Sequence, residues 1–303
     1  MNIYREPYQH FPRLSERELR GTEGIEVELV NFPTNPYTDI FIAQQMSWRT
    51  STDWTQSARQ NISDFSSRKD EIKKLLENIR DGKVWAGQAL EGSTFTFLIK
   101  NISRSCTHQI VRTRIGASFM QESGREGAWH ICKFVTPLSI LRDDKAHADY
   151  VELYERSIEL YREWTGYNAY ERYDSIPPND FIPIQDARSI VPHAVTQNLW
   201  AGYSLQALIG VCSSRLCTTM QWEINTVARM MRDAVLEKFP LLGTLLKSNC
   251  EQKGGCKSLT PHYGVGAENN GCSVYFPHEG RLCGKAGKFS DEEIAVLLQQ
   301  ERL

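Results

Sequence analysis

A short segment of alternating side chains, residues 94–99, constrains the fold more than any other part of the chain. Phe95, Phe97 and Ile99 alternate there with two threonines and a leucine, which is the period of a β-strand with one face in a core. The surrounding segments carry helical periodicity, and strands and helices do not alternate regularly along the chain. These patterns predict an α+β fold.

Helices are predicted from the spacing of apolar residues. The helix over residues 67–79 has Ser67 and Asp70 suited to its start and Gly82 to its end. A short helix follows the strand, with Ser103 as its cap. The remaining predicted helices are one around residues 151–161 closed by Gly166, a long one from about Thr196 towards Cys212, and one from Gln221 to Lys238 stopped by Pro240.

Composition limits the class of protein. The 303 residues are 41% hydrophobic and 24% charged, as in ordinary globular proteins, and the formal net charge of −2 argues against a groove for a nucleic acid polymer. No apolar stretch is long enough for a membrane span, and the first residues lack the pattern of a signal peptide, so we expect a cytoplasmic protein with reduced cysteines. Because Gly, Asn, Cys and His become dense near residue 248, we predict a catalytic domain over residues 1–247 and a Cys/Gly-rich extension over 248–303.

Four cysteines of that extension are the chain's weak candidates for metal ligands. Cys250, Cys256, Cys272 and Cys283 are separated by five, fifteen and ten residues. Common zinc modules place two to four residues within each ligand pair, so we predict reduced thiols and no metal.

A basic segment between residues 95 and 125 ends in Ser123, Gly124 and Arg125. Arginine forks, a hydroxyl and a glycine that permits close backbone approach are what a phosphate monoester needs. On composition alone, a solvated cationic helix face is the simpler interpretation.

The order of these residues resembles the signature of the flavin-dependent thymidylate synthases, Arg-His-Arg followed after seven or eight residues by Ser. Here Arg112, Thr113 and Arg114 precede Ser123 by eight residues. Further matches in the family's order are Arg49-Thr50-Ser51, Leu90-Glu91 with the Phe-Thr-Phe strand at 95–97, Asp186 to Pro192 with Thr196, and Arg215 followed by a Gln-Trp-Glu-Ile sequence at 221–224. The resemblance covers roughly residues 45–235.

The resemblance implies mixed helices around a central, mainly antiparallel sheet, and methylation of C5 of dUMP with FAD, NADPH and methylenetetrahydrofolate. In this family the flavin handles the one-carbon unit and the hydride, so no cysteine nucleophile is needed. Arg215, which would favour ionisation of the uracil ring, and Ser123 are the implied catalytic residues. The implied nucleotide ligands are Gln109, Arg112, Gln121, Glu122, Ser123, Gly124, Arg125, Arg188 and Arg215. The implied flavin ligands are Ser51, Gln88, Glu91, Arg112, Thr113, Arg114, Gln121, Ser204, Gln206 and Gly210. A homotetramer with shared active sites is also implied.

Several family positions are changed, mainly around the flavin and the folate. Three imidazoles are absent, with Thr113, Ala86 and Gly92 in their places, and Glu126 stands where a tyrosine is common. Ser204, Gln206 and Gly210 replace Asn, Arg and Asn. Three alternatives stay open at this point: an ordinary synthase with compensating residues, an enzyme that modifies C5 of another pyrimidine nucleotide by methylation, hydroxymethylation or halogenation, and a flavin-free nucleotide-binding regulator.

Overall fold

The computed structural model describes residues 14–48, 68–84, 86–124, 129, 132–166, 181–217, 220–252, 275–276 and 281–282. The chain divides into two compact units. The first unit comprises Met1–Glu26, Lys100–His108 and Met120–Leu199, and the second comprises Val27–Ile99, Gln109–Phe119 and Trp200–Leu303.

The described strands form one four-stranded sheet and two smaller pairs. The strands are β1 Glu18–Arg20, β2 Glu26–Asn31, β3 Thr94–Ser103, β4 Ala117–Gln121, β5 Phe134–Thr136, β6 Thr196–Ser204, β7 Tyr275–Phe276 and β8 Arg281–Leu282. The order in the main sheet is β2-β3-β6-β4, whereas β1 pairs with β5 in parallel and β7 with β8 antiparallel.

Backbone hydrogen bonds fix the direction of the strands in the main sheet. Ser204 N donates to Gly116 O, and Glu122 N donates to Asn198 O, so residue numbers rise on β4 as they fall on β6. Leu205 N donates to Ser93 O and Arg104 N donates to Val195 O, so β3 and β6 also run antiparallel. The α+β fold with a mainly antiparallel central sheet is thereby confirmed.

The helices vary from single turns to more than five turns. They are α1 Leu14–Arg17, α2 Pro36–Trp48, α3 Lys69–Arg80, α4 Gly87–Glu91, α5 Arg104–Ile110, α6 Leu138–Leu141, α7 Asp144–Thr165, α8 Ile184–Ala187, α9 Leu205–Arg215, α10 Trp222–Lys238 and α11 Asn249–Gln252, with 3-10 helices at Arg188–Ile190 and Pro240–Thr244. Among the described residues, no helix is both long and apolar enough to cross a membrane.

Local sequence signals set several of the helix ends. Ser103 Oγ accepts a hydrogen bond from Cys106 N at 3.1 Å, which makes Ser103 the predicted cap of α5. Gly166 ends α7 in the left-handed conformation at φ 74°. The predicted first helix begins at Lys69 instead of Ser67, and Arg68 precedes it without a side-chain cap. Ser67 lies outside the described residues.

The prediction of a long helix from Thr196 was wrong. Residues 196–204 form strand β6, and the helix α9 begins only at Leu205. Because β6 lies between β3 and β4, most of its residues are buried on both faces and the alternation that marks a strand is absent. Ser204 then caps α9, since its Oγ accepts from Ala207 N at 3.2 Å.

Aromatic side chains fill the core of the second unit. Phe97 and Phe119 both meet the edge or face of Tyr203, with ring centroids 6.2 and 5.6 Å away. Phe95 and Phe97 have no exposed surface. Burial of each such side chain contributes about 1.5–3 kcal/mol, so the alternating strand is a main anchor of this unit.

The first unit has its own core against α7. The rings of Phe134 and Tyr154 stack with centroids 4.1 Å apart, and Ile158 lies on the same buried face of the helix. Trp129 and Tyr161 form a neighbouring cluster. The predicted boundary between residues 247 and 248 stays a prediction, because most of the extension lies outside the described residues.

Candidate active site

A cavity of about 790 Å³ lies in the second unit, where the turn after α5 meets α9. Its volume falls within the range of roughly 300–1,000 Å³ found for small-molecule sites. The lining residues are Glu91, Arg112, Thr113, Arg114, Ile115, Gly116, Ser204, Gln206, Ala207, Gly210, Val211, Ser214 and Arg215.

One wall of the cavity is a face of α9 with little side-chain bulk. Gln206, Gly210 and Ser214 follow one another at intervals of four, so they share a face of the helix. A Cβ added at Gly210 would meet no atom within 4 Å. The glycine therefore leaves this wall open for a broad ligand to approach.

The turn that carries the arginines is fixed to the start of α9. Gly116 has φ +69°, a conformation that glycine adopts without strain, and a Cβ there would collide with Ser204 Oγ. Ser204 N donates to Gly116 O at 2.7 Å. These contacts hold residues 112–116 at one end of the cavity.

Three arginines give the cavity a positive character. Arg112 and Arg114 are exposed, Arg215 is partly buried, and within the described part of the chain none has a carboxylate in ion-pair distance. The Arg215 guanidinium has a weak contact, from Nη1 to the Met220 sulfur at 3.5 Å. Glu91 is the one acidic residue among the lining residues, so the three arginines outweigh it and the cavity suits an anionic ligand.

The buried side-chain amide of Asn225 holds the backbone of Arg215 in place. Asn225 Nδ2 donates to the carbonyl oxygens of Arg215 at 2.7 Å and of Cys217 at 3.0 Å, and Asn225 Oδ1 accepts from Arg229 Nε at 2.7 Å. Asn225 has no exposed surface. It satisfies two carbonyl groups at the end of α9 that the helix itself leaves unpaired.

Gln109 belongs to the second unit, on the last turn of α5. Its Nε2 lies 3.4 Å from Gln221 Oε1, and the same oxygen caps α10 by accepting from Ile224 N at 3.1 Å. The predicted nucleotide ligand Gln109 is thus connected to the Gln-Trp-Glu-Ile sequence.

The first unit contains a separate polar cluster around Gln197. This buried side chain accepts through Oε1 from Gln121 Nε2 at 2.8 Å and from Arg104 Nη1 at 3.2 Å. Gln121 Nε2 also donates to Thr107 Oγ1 at 3.1 Å. Burial, together with the positive charge of Arg188, lowers the pKa of Arg104.

The loop after β4 brings Gly124 against Arg188. A Cβ at Gly124 would lie 3.1 Å from Arg188 Nη1 and 3.1 Å from the Trp129 ring, whose Nε1 donates to Gly124 O at 2.9 Å. A larger residue at position 124 would require Arg188 or Trp129 to shift by a few tenths of an ångström. Glu122, by contrast, accepts from both the backbone and the side chain of Asn198, at 2.9 and 2.7 Å.

The predicted site residues therefore fall into several groups. The cavity of the second unit is lined by Glu91, Arg112, Thr113, Arg114, Ser204, Gln206, Gly210 and Arg215, while the first unit carries Gln121, Glu122, Ser123, Gly124 and Arg188. Gln88 is exposed on α4 and does not line the cavity. Ser51, Arg125, Cys256, Cys272, Cys283 and the side chain of Cys250 lie outside the described residues. The assigned roles stay predictions.

Sequence reasoning missed Arg104, Gln197, Asn225 and Ser214. Ser214 lies four residues after Gly210 and would have followed from the correct end of α9, at Arg215 instead of about Cys212. The other three act through contacts between distant segments, which leave no local pattern.

The described residues were also compared with the requirements of a metal site and of a reactive thiol. No group of three potential metal ligands lies together there. Burial raises the pKa of the Cys132 and Cys212 thiols to about 12, so both are protonated at neutral pH and poor nucleophiles.

Comparison with known proteins identifies the family. The family model described as thymidylate synthase complementing protein matches residues 28–241. The flavin-dependent thymidylate synthase of Pyrococcus abyssi is 30% identical over 242 residues, which cover 77% of this chain and 89% of that protein. The flavin-dependent thymidylate synthase of Saccharolobus solfataricus is 31% identical over 226 residues, which cover 75% of this chain and 78% of that protein.

A solved structure supports the fold. The UMP/dUMP methylase PolB from Streptomyces cacaoi, bound with 5-Br dUMP, superposes with a TM-score of 0.57 at 20% identity and covers 76% of this chain and 99% of its own. The chain therefore belongs to the thymidylate synthase complementing protein family and is an enzyme of the flavin-dependent thymidylate synthase type.

Proposed function

We propose that the enzyme methylates C5 of dUMP, taking the one-carbon unit from methylenetetrahydrofolate and the reducing electrons from NADPH, with FAD as its cofactor. The observation that carries this proposal is the cavity lined by Arg112, Arg114 and Arg215, none of which has a carboxylate partner among the described residues. A flavin dinucleotide and a nucleotide both bring the negative charge that such a cavity needs.

The cavity residues fit a flavin in two respects. The open wall at Gly210 admits a broad ring system. Arg112 and Arg114 offer guanidinium forks suited to the diphosphate of FAD. When bound, the flavin supplies the hydride and the carrier for the one-carbon unit.

We assign to Arg215 the role of activating the nucleotide. A guanidinium stays protonated at neutral pH, so it acts by stabilising negative charge on the uracil ring as N3 ionises, which makes C5 more nucleophilic. Asn225 supports this role, because it fixes the backbone of Arg215 independently of any ligand.

For nucleotide binding, we assign Gln109, Arg112, Ser123, Gly124, Arg125 and Arg188 to the sugar and phosphate. Glu122 is a weaker candidate, because Asn198 already engages its carboxylate. We further propose a homotetramer whose subunits share these residues between sites. A stable monomer with full activity, measured by light scattering and turnover, would contradict the tetramer.

UMP is the second candidate substrate. PolB, a UMP/dUMP methylase, shares the fold. The changed flavin-site positions Thr113, Ser204 and Gln206 permit chemistry that departs from the ordinary synthase.

Mass spectrometry of products decides between these substrates. Purified enzyme with NADPH and methylenetetrahydrofolate should convert dUMP to a product heavier by one methylene group, and its visible spectrum should show bound oxidised flavin. Faster conversion of UMP would select the second candidate. A flavin-loaded enzyme that converts neither nucleotide would refute both.

A further inference from the structure

The position of the Arg215 guanidinium depends on the backbone that carries it more than on contacts of the side chain. Among the described residues, this side chain makes one weak hydrogen bond, from Nη1 to the Met220 sulfur at 3.5 Å. A long side chain with so little support follows the direction of its Cα–Cβ bond, which the helix sets. The last turn of α9 therefore decides where the charge of Arg215 lies in the cavity.

That turn ends without the left-handed glycine that commonly satisfies the last carbonyl groups of a helix. Leu216, which follows Arg215, has a right-handed helical conformation at φ −74°. The carbonyl oxygens of Arg215 and Cys217 instead accept from one side chain of α10, Asn225 Nδ2, at 2.7 and 3.0 Å. The end of α9 is thus shaped by a neighbouring helix.

The amide of Asn225 is held in one orientation. Its Nδ2 group has two hydrogens, one for each carbonyl group, and its Oδ1 accepts from Arg229 Nε at 2.7 Å. Rotation of the amide by 180° would place a donor against the donor of Arg229 and an oxygen against the carbonyl oxygens. Because Asn225 has no exposed surface, water does not replace the lost bonds. These bonds form a fixed connection from Arg229 to the turn that carries Arg215.

We propose that Asn225 is a positioning residue for the reaction. It fixes the last turn of α9 so that the Arg215 guanidinium meets the uracil ring in the orientation that stabilises negative charge, and Arg229 keeps the Asn225 amide in the orientation that this requires. The inference rests on the proposed function of Arg215. It goes further because it assigns an effect on the rate to two residues that do not line the cavity.

Asn225→Asp tests the proposal, because the carboxylate has nearly the same shape and can still accept from Arg229 but has no hydrogen for the two carbonyl groups. Misplacement of a reacting group by about 1 Å costs about a hundredfold, so the single-turnover rate with dUMP should fall about tenfold to hundredfold. The Kd of dUMP should rise less than about threefold, because Arg215 is assigned to charge that develops during the reaction.

Arg229→Met is a second variant, which keeps the length of the side chain and leaves Asn225 in place. It removes the donor that fixes the amide, so the rate should fall by a smaller factor than in Asn225→Asp, again with little change in the Kd of dUMP. If Asn225→Asp fails to fold, this variant carries the test, and an unchanged rate in Arg229→Met then overturns the proposal.

A double-mutant cycle separates positioning from a general loss of structure. In the Arg215→Ala background, Asn225→Asp should change the rate by less than about twofold, because the group that it positions is gone. Val235→Ala is the matched control: it opens a cavity at a fully buried residue of the same helix, so it should lower the melting temperature and leave the rate unchanged. The same loss of rate from Asn225→Asp in both backgrounds, or no loss in either, would overturn the proposal.

Failure of the proposed function gives a different result. In that case Arg215→Ala keeps the wild-type rate, or the wild type converts neither dUMP nor UMP, and hydrogen exchange tests the connection itself. Backbone amides in the last turn of α9 should exchange at least about tenfold faster in Asn225→Asp than in Val235→Ala. Such a difference supports Asn225 as the residue that positions Arg215, and equal exchange in the two variants overturns it.

Discussion

Replacement of Arg215 by alanine tests the assigned chemistry most directly. Among the described residues, the Arg215 side chain makes one weak hydrogen bond, from Nη1 to the Met220 sulfur at 3.5 Å, whereas its backbone carbonyl accepts from Asn225 Nδ2 at 2.7 Å. The alanine variant should therefore keep the fold of α9. It should lose only the charge that Arg215 presents to the cavity.

The size of the effect follows from this geometry. Removal of one preorganised donor to a developing anion costs about 10²–10³ in rate, or about 2.7–4 kcal/mol of transition-state stabilisation. We expect turnover of dUMP to fall by this factor, while the Kd of the nucleotide rises by less than about tenfold. Arg215→Lys should recover little, since an ammonium on a flexible stem does not reproduce the planar fork.

Single-turnover kinetics with reduced enzyme, alongside calorimetric Kd values, separate the two effects. Thermal unfolding of the variant controls for damage to α9. Near-normal turnover with strongly weakened binding would mean that Arg215 holds the phosphate or supports the structure, and the mechanism would have to be abandoned.

Three further predictions concern the scaffold. Asn225→Ala should lower the free energy of unfolding in urea by about 2–4 kcal/mol, because it leaves two carbonyl groups without their donor; a loss below about 0.5 kcal/mol would contradict this account. The Cys212 thiol, with a pKa of about 12, should react with iodoacetamide at pH 8 far more slowly in the native than in the urea-unfolded protein, and equal rates would disprove its burial. Burial opposes ionisation of Glu18, but hydrogen bonds from Thr136 and His147 outweigh it and lower the pKa of its carboxyl. The ionised carboxylate therefore stabilises the fold at neutral pH, and this contribution is lost as the pH falls through the lowered pKa. Glu18→Gln should destabilise the protein at pH 7, and the difference in the free energy of unfolding should shrink as the pH falls; a difference that does not depend on pH would contradict this account.

Sequence periodicity was reliable where one face of an element meets a core and the other meets solvent. The helices α3 and α7 have such faces, and Gly82 and Gly166 mark their ends. It failed for β6, because that strand is buried on both faces along most of its length, so its polar and apolar residues do not alternate.

The candidate site likewise has residues that the sequence predicted and supporting contacts that it did not. The ordered motifs determined the family, and eight of the predicted residues, Arg215 among them, line one cavity. These residues meet because the turn after α5 is fixed to the start of α9, and their roles stay predictions.

Only the tertiary structure determined which side chains fix these site residues by hydrogen bonds. The hydrogen bond from the Asn225 side chain to the Arg215 carbonyl joins residues ten positions apart, and that from Arg104 to Gln197 joins residues ninety-three positions apart. Polar groups removed from water must be paired, but any donor that the folded backbone brings near can provide the partner. The sequence shows which polar groups are present, and the packing of the strands and helices determines which of them form hydrogen bonds.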